Sequence, residues 1–234
     1  MEAGNNINDL HNSGGSGSRE RGGFRIKVCG MTKPEQVQQL DEMSVEFAGF
    51  IFYPKSPRYV YKTMPAADIK RIKGRVNKVG VFVNADVDEV LRIVDDCGLY
   101  LVQLHGDESP RICEKIANYV SVIKAFRISD DDNIEWRVRE YYDAADMFMF
   151  DTEGAGYGGT GKKFNLELLK EQNISKPFFL SGGITPDDVE KLKTFQREEV
   201  AKDLFAIDIN SRFEIMPGIK DMDIVRGFVD KLKS

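Results

Sequence analysis

Residues 177–192 read Pro177-Phe178-Phe179-Leu180-Ser181-Gly182-Gly183-Ile184-Thr185-Pro186-Asp187-Asp188-Val189-Glu190-Lys191-Leu192. A short apolar run, Pro177–Ser181, has the length and residue types of a buried strand. Two glycines then turn the chain. Thr185 has the chemistry of a helix N-cap, Pro186 suits the first helical position, and Asp187-Asp188 places negative charge in the first turn. The stretch Asp187–Leu192 continues with helical spacing. One strand, one tight turn and one helix make a βα unit.

The same unit recurs along the chain. Apolar runs occupy Phe24–Cys29, Phe47–Phe52, Lys78–Val83, Tyr100–Leu104, Val120–Phe126, Met147–Asp151, Pro177–Ser181 and Leu204–Ile209. Amphipathic stretches lie between them. In Val87–Val94 the residues Val87, Val90, Leu91 and Val94 share one face. In Met222–Leu232 the residues Ile224, Val225, Phe228, Val229 and Leu232 do the same. Strands separated by helices imply right-handed crossovers and a parallel sheet. An open doubly wound sheet would also satisfy the alternation. Eight repeats in about 210 residues favour closure, so the predicted fold is an α/β (β/α)8 TIM barrel over residues 24–234.

Composition sets outer limits. The chain has 234 residues, 41% of them hydrophobic, enough for a sizeable core. It carries 33 basic and 38 acidic side chains, a net charge of −5, which argues against a nucleic-acid partner. No apolar run approaches the roughly 18 residues of a membrane span, so no membrane partner is expected. Three cysteines, Cys29, Cys97 and Cys113, make neither a disulfide framework nor a metal spacing. That pattern fits a reducing, cytoplasmic setting, and no metal is expected. Residues 1–23 are polar and rich in Gly, Ser and Asn. They are expected to be a disordered tail or an expression remnant.

In a barrel of this kind the site lies where strands end and βα loops begin. Cys29 closes the first run, and a partly exposed thiol there is a candidate base or nucleophile; a small buried hydrophobe is the plainer reading. Asp151 closes the sixth, where an acid is costly to bury without a partner or a task. After it comes Glu153-Gly154-Ala155-Gly156-Tyr157-Gly158-Gly159-Thr160-Gly161-Lys162. Its glycines, Gly158, Gly159 and Gly161 among them, suggest a lid over the site rather than a plain surface loop. Lys162-Lys163 lacks the Ser or Thr that a P-loop carries. Gly182 and Gly183 let backbone N–H groups approach an anion, and loops seven and eight are the usual phosphate seat of such barrels. Asn210 and Ser211, after run eight, are candidates to complete it, and Asp208 stands near the rim. Arg58, on a Pro-stiffened loop, is a candidate carboxylate clamp. Gln103 and His105 end run four as candidate substrate contacts, His105 acting as a base, an orienting group or a structural residue.

The motifs together resemble one family. Lys27–Thr32 (KVCGMT), Gly49–Tyr59 (GFIFYPKSPRY), Val79–Asn84 (VGVFVN), Val102–Asp107 (VQLHGD), Asp151–Phe164 (DTEGAGYGGTGKKF) and Leu180–Pro186 (LSGGITP) are similar to those of phosphoribosylanthranilate isomerases, in the same order. The resemblance implies an Amadori rearrangement of N-(5′-phosphoribosyl)anthranilate in tryptophan synthesis, with no cofactor. It implies Cys29 as general base, Asp151 as general acid, Arg58 as the anthranilate contact and Asp208 as a contact to the substrate amine or anthranilate side. The expected partner is that phosphosugar–anthranilate substrate, and the chain is expected to be a monomer or homodimer. One departure stands out. The family often shows Ser-Ser-Gly after the eighth strand, where this chain has Asn210-Ser211-Arg212. The competing readings are another phosphosugar isomerase or epimerase barrel, and a non-catalytic phosphosugar-binding barrel. A metal-dependent epimerase would want more histidine than His105, and a binding protein would not need Cys29 together with Asp151.

Overall fold

The computed structural model describes residues 23–152, 164–170, 172 and 174–234. Eight strands close into one parallel barrel, in sequence order. They are β1 (Ile26–Val28), β2 (Phe47–Ile51), β3 (Asn77–Phe82), β4 (Leu101–Leu104), β5 (Ser121–Ile128), β6 (Met147–Thr152), β7 (Phe178–Leu180) and β8 (Leu204–Ile209). Between them run α1 (Pro34–Glu42), α2 (Ala66–Arg71), α3 (Val87–Cys97), α4 (Pro110–Ala117), α5 (Ile134–Val138), α6 (Glu167–Lys170) and α7 (Val189–Phe195). The chain ends in α8 (Met222–Lys233). Each predicted apolar run became a strand with ends shifted by only a few residues, and the barrel, not the open sheet, is the arrangement formed. No described helix is long and apolar enough to cross a membrane.

Closure comes from β8 pairing with β1, with Ile26 opposite Ile207, Lys27 opposite Asp208 and Val28 opposite Ile209. Successive side chains of a strand point to opposite faces. One set builds the floor of the barrel: Phe47, Val79, Leu101, Ile123, Met147, Met149, Phe179, Phe205 and Ala206 form a buried cluster of their own. Phe179 packs against Phe47 and Phe205, with ring centroids 5.7 and 5.4 Å away. The other set meets the helices in a larger core that includes Ile26, Phe50, Phe148, Phe178 and Ile207.

Local chemistry sets the helix starts. Pro34 and Pro110 open α1 and α4, where a missing N–H costs nothing. Asp221 caps α8 by accepting the Ile224 N–H at 3.2 Å. Thr185 precedes Pro186 as expected, and Asp188 reaches back to its N–H (2.8 Å) and hydroxyl (2.7 Å). That first turn, Pro186–Asp188, is a 3₁₀ turn leading into α7. The sequence reading did not anticipate a small antiparallel hairpin, β9 (Glu214–Met216) and β10 (Ile219–Lys220), between β8 and α8. Met216-Pro217-Gly218-Ile219 carries the turn signal that would have marked it. The expected tail, Gly23 apart, and the lid glycines Gly158, Gly159 and Gly161 lie outside the described residues.

The floor cluster makes a stability prediction. Phe179→Ala removes a fully buried ring from a closed interior with little room to collapse. It should cost about 3–5 kcal/mol in urea unfolding. A loss below about 1 kcal/mol would mean the interior is not packed as described.

Candidate active site

The period-two alternation that builds the apolar floor changes character at the C-terminal end of the barrel. Above Phe47 come Gly49 and Ile51; above Leu101 come Gln103 and His105; above Met149 comes Asp151; above Phe179 comes Ser181; above Ala206 comes Asp208. Cys29 follows Lys27 on β1 by the same rule. One pocket opens there. It is lined by Cys29, Arg58, Gln103, His105, Asp151, Gly182, Gly183, Asp208, Asn210 and Ser211, with Tyr53, Ile51, Val81 and Ser181 among its other walls. Every candidate residue within the described chain therefore meets in one cavity. Cys29 and Asp151, from separate strands, open onto the same space.

Cys29 follows β1 directly, and its N–H is held by the Ile209 carbonyl at 2.9 Å. The next residue, Gly30, has φ +77°, and a Cβ there would press on the Arg58 side chain and on Asn210. Only glycine lets the chain turn this tightly behind the sulfur. Cys29 is 4% exposed. Burial pushes its thiol pKa up, and the nearby Lys27 ammonium opposes that shift without cancelling it.

Asp151 faces His105 across the pocket, with Oδ2 3.2 Å from Nε2. His105 Nδ1 lies 2.7 Å from Gln103 Nε2. With the amide nitrogen donating to Nδ1, the ring proton sits on Nε2 and points at Asp151. Gln103, His105 and Asp151 thus form a chain that aims the carboxyl, whose Oδ1 also accepts the Thr152 N–H at 2.9 Å. Gln103 Oε1 is buried without a partner among the described residues. A buried acceptor in that state is costly unless a ligand supplies the proton.

Arg58 is not a loose clamp. Its Nε donates to both Glu214 carboxylate oxygens (2.9 and 3.0 Å), and Nη2 donates to Oε2 at 2.7 Å. Glu214 also takes Lys220 Nζ at 2.8 Å. Burial pushes the Glu214 carboxyl up, but Arg58 and Lys220 more than offset it and hold it below its ordinary value. The hairpin that bears Glu214 therefore orients the guanidinium. These bonds use its Nε–Nη2 edge, while the side chain still lines the pocket.

The glycine pair lies beside Asp151. Gly182 has φ +100°, and a Cβ there would collide with Thr152. Asn210 turns its side-chain oxygen inward to Lys220 Nζ at 2.8 Å. Any contact from Asn210 to an anion would therefore have to use its backbone or amide N–H groups. Ser211 opens a short 3₁₀ turn, Ser211–Phe213, on the pocket wall. Arg212, the departure from the family pattern, is exposed and is not among the lining residues.

Besides Glu214, the sequence reading missed four charged side chains that shape this end of the barrel. Lys27 and Asp208 pair at 2.8 Å, with Lys27 fully buried. Lys124 donates to Glu108 Oε2 (2.9 Å) and the Gly106 carbonyl (2.8 Å). Glu108 in turn accepts the Asn84 and Gly106 N–H groups, fixing the loop that follows His105. Lys220 completes the set. A lysine inside an otherwise apolar strand, as at Lys27 and Lys124, was the available signal.

Comparison with known proteins agrees with this geometry. A family model described as N-(5'phosphoribosyl)anthranilate (PRA) isomerase matches residues 26–231. A protein of Parabacteroides distasonis named N-(5'-phosphoribosyl)anthranilate isomerase is 38% identical over 211 residues, 88% of this chain and 92% of that protein. The crystal structure of phosphoribosyl anthranilate isomerase from Thermotoga maritima superposes with a TM-score of 0.77 at 34% identity, covering 90% of this chain and 98% of that one. A structure of such an isomerase in complex with reduced 1-(o-carboxyphenylamino)-1-deoxyribulose 5-phosphate gives a TM-score of 0.73 at 31% identity, covering 90% and 98%. The chain belongs to the N-(5'phosphoribosyl)anthranilate (PRA) isomerase family.

Proposed function

We propose that this pocket isomerises N-(5′-phosphoribosyl)anthranilate to 1-(2-carboxyphenylamino)-1-deoxyribulose 5-phosphate, with Cys29 as base and Asp151 as acid. The observation that carries the reading is that a sulfur and a carboxyl from β1 and β6 line one cavity with the Gly182-Gly183 turn. Asp151, as the acid, gives its proton to the ribose ring oxygen. The C1′–O bond breaks onto that oxygen, and the nitrogen lone pair forms a C1′=N iminium. The iminium makes the C2′ proton acidic. The Cys29 thiolate takes that proton, and the C2′–H electrons form a C1′=C2′ enolamine. The enolamine then gains a proton at C1′ and loses the one on the C2′ hydroxyl, which leaves the ketone.

Each wall has a separate task in this reading. The Gly182 and Gly183 turn, with Ser211 and the N–H groups of Asn210, seats the phosphate and anchors the sugar. Arg58, aimed by Glu214, meets the anthranilate carboxylate. Asp208 accepts from the substrate amine. Gln103 and His105 hold Asp151 toward the ring oxygen, and the unpaired Gln103 Oε1 is offered to a substrate hydroxyl or N–H.

The test is a fluorescence assay following loss of phosphoribosylanthranilate. Cys29→Ala and Asp151→Asn should each lower kcat by at least about 10²–10⁴-fold with KM little changed. An active variant would remove that residue from its role. Arg58→Ala should raise KM by about 10–100-fold, the cost of a charged hydrogen bond, while leaving affinity for a phosphosugar fragment unchanged. Equal loss on both ligands would discredit the clamp. The pH dependence has a definite sign. Because burial raises the Cys29 thiol pKa, kcat/KM should climb as pH rises from neutral toward that pKa; an acid-side optimum would contradict a thiolate base.

A further inference from the structure

Lys27 lies at the foot of the pocket, two residues before Cys29 on the same inward face of β1. Its ammonium is fully buried and gives one hydrogen bond to Asp208 Oδ1 at 2.8 Å. The other oxygen of Asp208 receives the Ser181 hydroxyl at 3.4 Å. An ammonium has three protons, and a buried one is costly unless they are used. The absent side chain at Gly49 shows which group stands nearby. A Cβ at Gly49 would sit 3.0 Å from Cys29 Sγ and 3.2 Å from Lys27 Nζ. Sulfur and ammonium border the same hole, left open by a glycine on the neighbouring strand, and each acts on the other's ionisation: the ammonium favours the thiolate, and the thiolate favours the ammonium.

We propose that Lys27 is the positioning residue and counter-charge of the Cys29 sulfur, its ammonium shared between Asp208 and the thiolate that removes the substrate proton. The inference rests on Cys29 as the base. Burial pulls the Lys27 pKa down, but Asp208 and then Cys29 more than offset it, so the ammonium form is favoured. The other charges around Cys29 are Asp208 of β8, Lys220 of β10 and, around Gly30, Arg58 with its partner Glu214 of β9. Across the pocket stand His105 and Asp151. On the Cys29 side three cations, Lys27, Arg58 and Lys220, face two carboxylates, Asp208 and Glu214. Burial lowers the Lys220 pKa, whereas that of Lys27 is raised, so Lys27 is the buried ammonium near the sulfur that holds its charge. Asp208 acts with the opposite sign, since its charge disfavours the thiolate.

The test reads ionisation separately from turnover. The rate of Cys29 alkylation by iodoacetamide is followed against pH, by mass spectrometry of the Cys29 peptide. Lys27→Met should raise the titration midpoint by at least about one pH unit. Asp208→Asn should lower it, because the ammonium is then left to the sulfur. The double variant Lys27→Met/Asp208→Asn leaves no unpaired buried charge, so it keeps the comparison available if Lys27→Met fails to fold. Its midpoint should lie at least about one unit above that of Asp208→Asn. Equal midpoints in those two variants would overturn the proposal. In Lys27→Met the acid limb of kcat/KM should move up with the alkylation midpoint. If the midpoint follows Lys27 while Cys29→Ala still turns over, the counter-charge stands and the base assignment falls. If Cys29→Ala is inactive and the midpoint ignores Lys27, the base stands and this inference falls.

Discussion

A parallel barrel exists only if its last strand meets its first in register, and here that seam carries a buried ion pair. Lys27 of β1 lies opposite Asp208 of β8, their side chains 2.8 Å apart at the top of the apolar floor. The same pairing that closes the sheet brings Cys29, Asp208 and Ser181 to one wall. A slip of one residue would turn Lys27 outward and the sulfur away from the cavity, because inward and outward faces alternate. Fold closure and the placement of the thiol are one geometric event.

Buried charge then recurs at each place where a loop must be held. Lys124 and Glu108 tie down the turn after His105. Lys220 and Glu214 tie the β9–β10 hairpin to Arg58 and Asn210. Such pairs are poor sources of stability, because desolvation consumes much of their attraction. Their effect is geometric. A carboxylate with several donors around it has one comfortable position, and the backbone amides it binds are fixed with it. The loops at the catalytic end are thereby built on charges anchored below them.

Much of this was legible in the chain. The eight apolar runs and the Ser181-Gly182-Gly183 turn fixed the barrel, and the strand-end rule put Cys29, Asp151, His105 and Asp208 at its active end. What stayed hidden was pairing. Glu108, Glu214 and Lys220 look like ordinary surface charges in sequence, and Arg58 looked unattached until Glu214, 156 residues away, was found gripping its guanidinium. Asn210 was legible as a candidate phosphate donor, but the hold of Lys220 on its side-chain oxygen, which leaves the N–H groups for that task, was not. Long-range ion pairs leave no periodicity, so no local pattern announces them.

The sequence by itself determined the alternation of strand and helix, the positions where strands stop, and the chemical types that stand at those stops. Each is a local property, set by side-chain period, turn residues and capping. The tertiary structure alone decided which charges meet, since that depends on closure bringing distant strands side by side. It also decided the electrostatic character of Cys29. A thiol's tendency to ionise depends on how far it is withdrawn from water and which charges surround it, and both were settled only when β8 closed against β1.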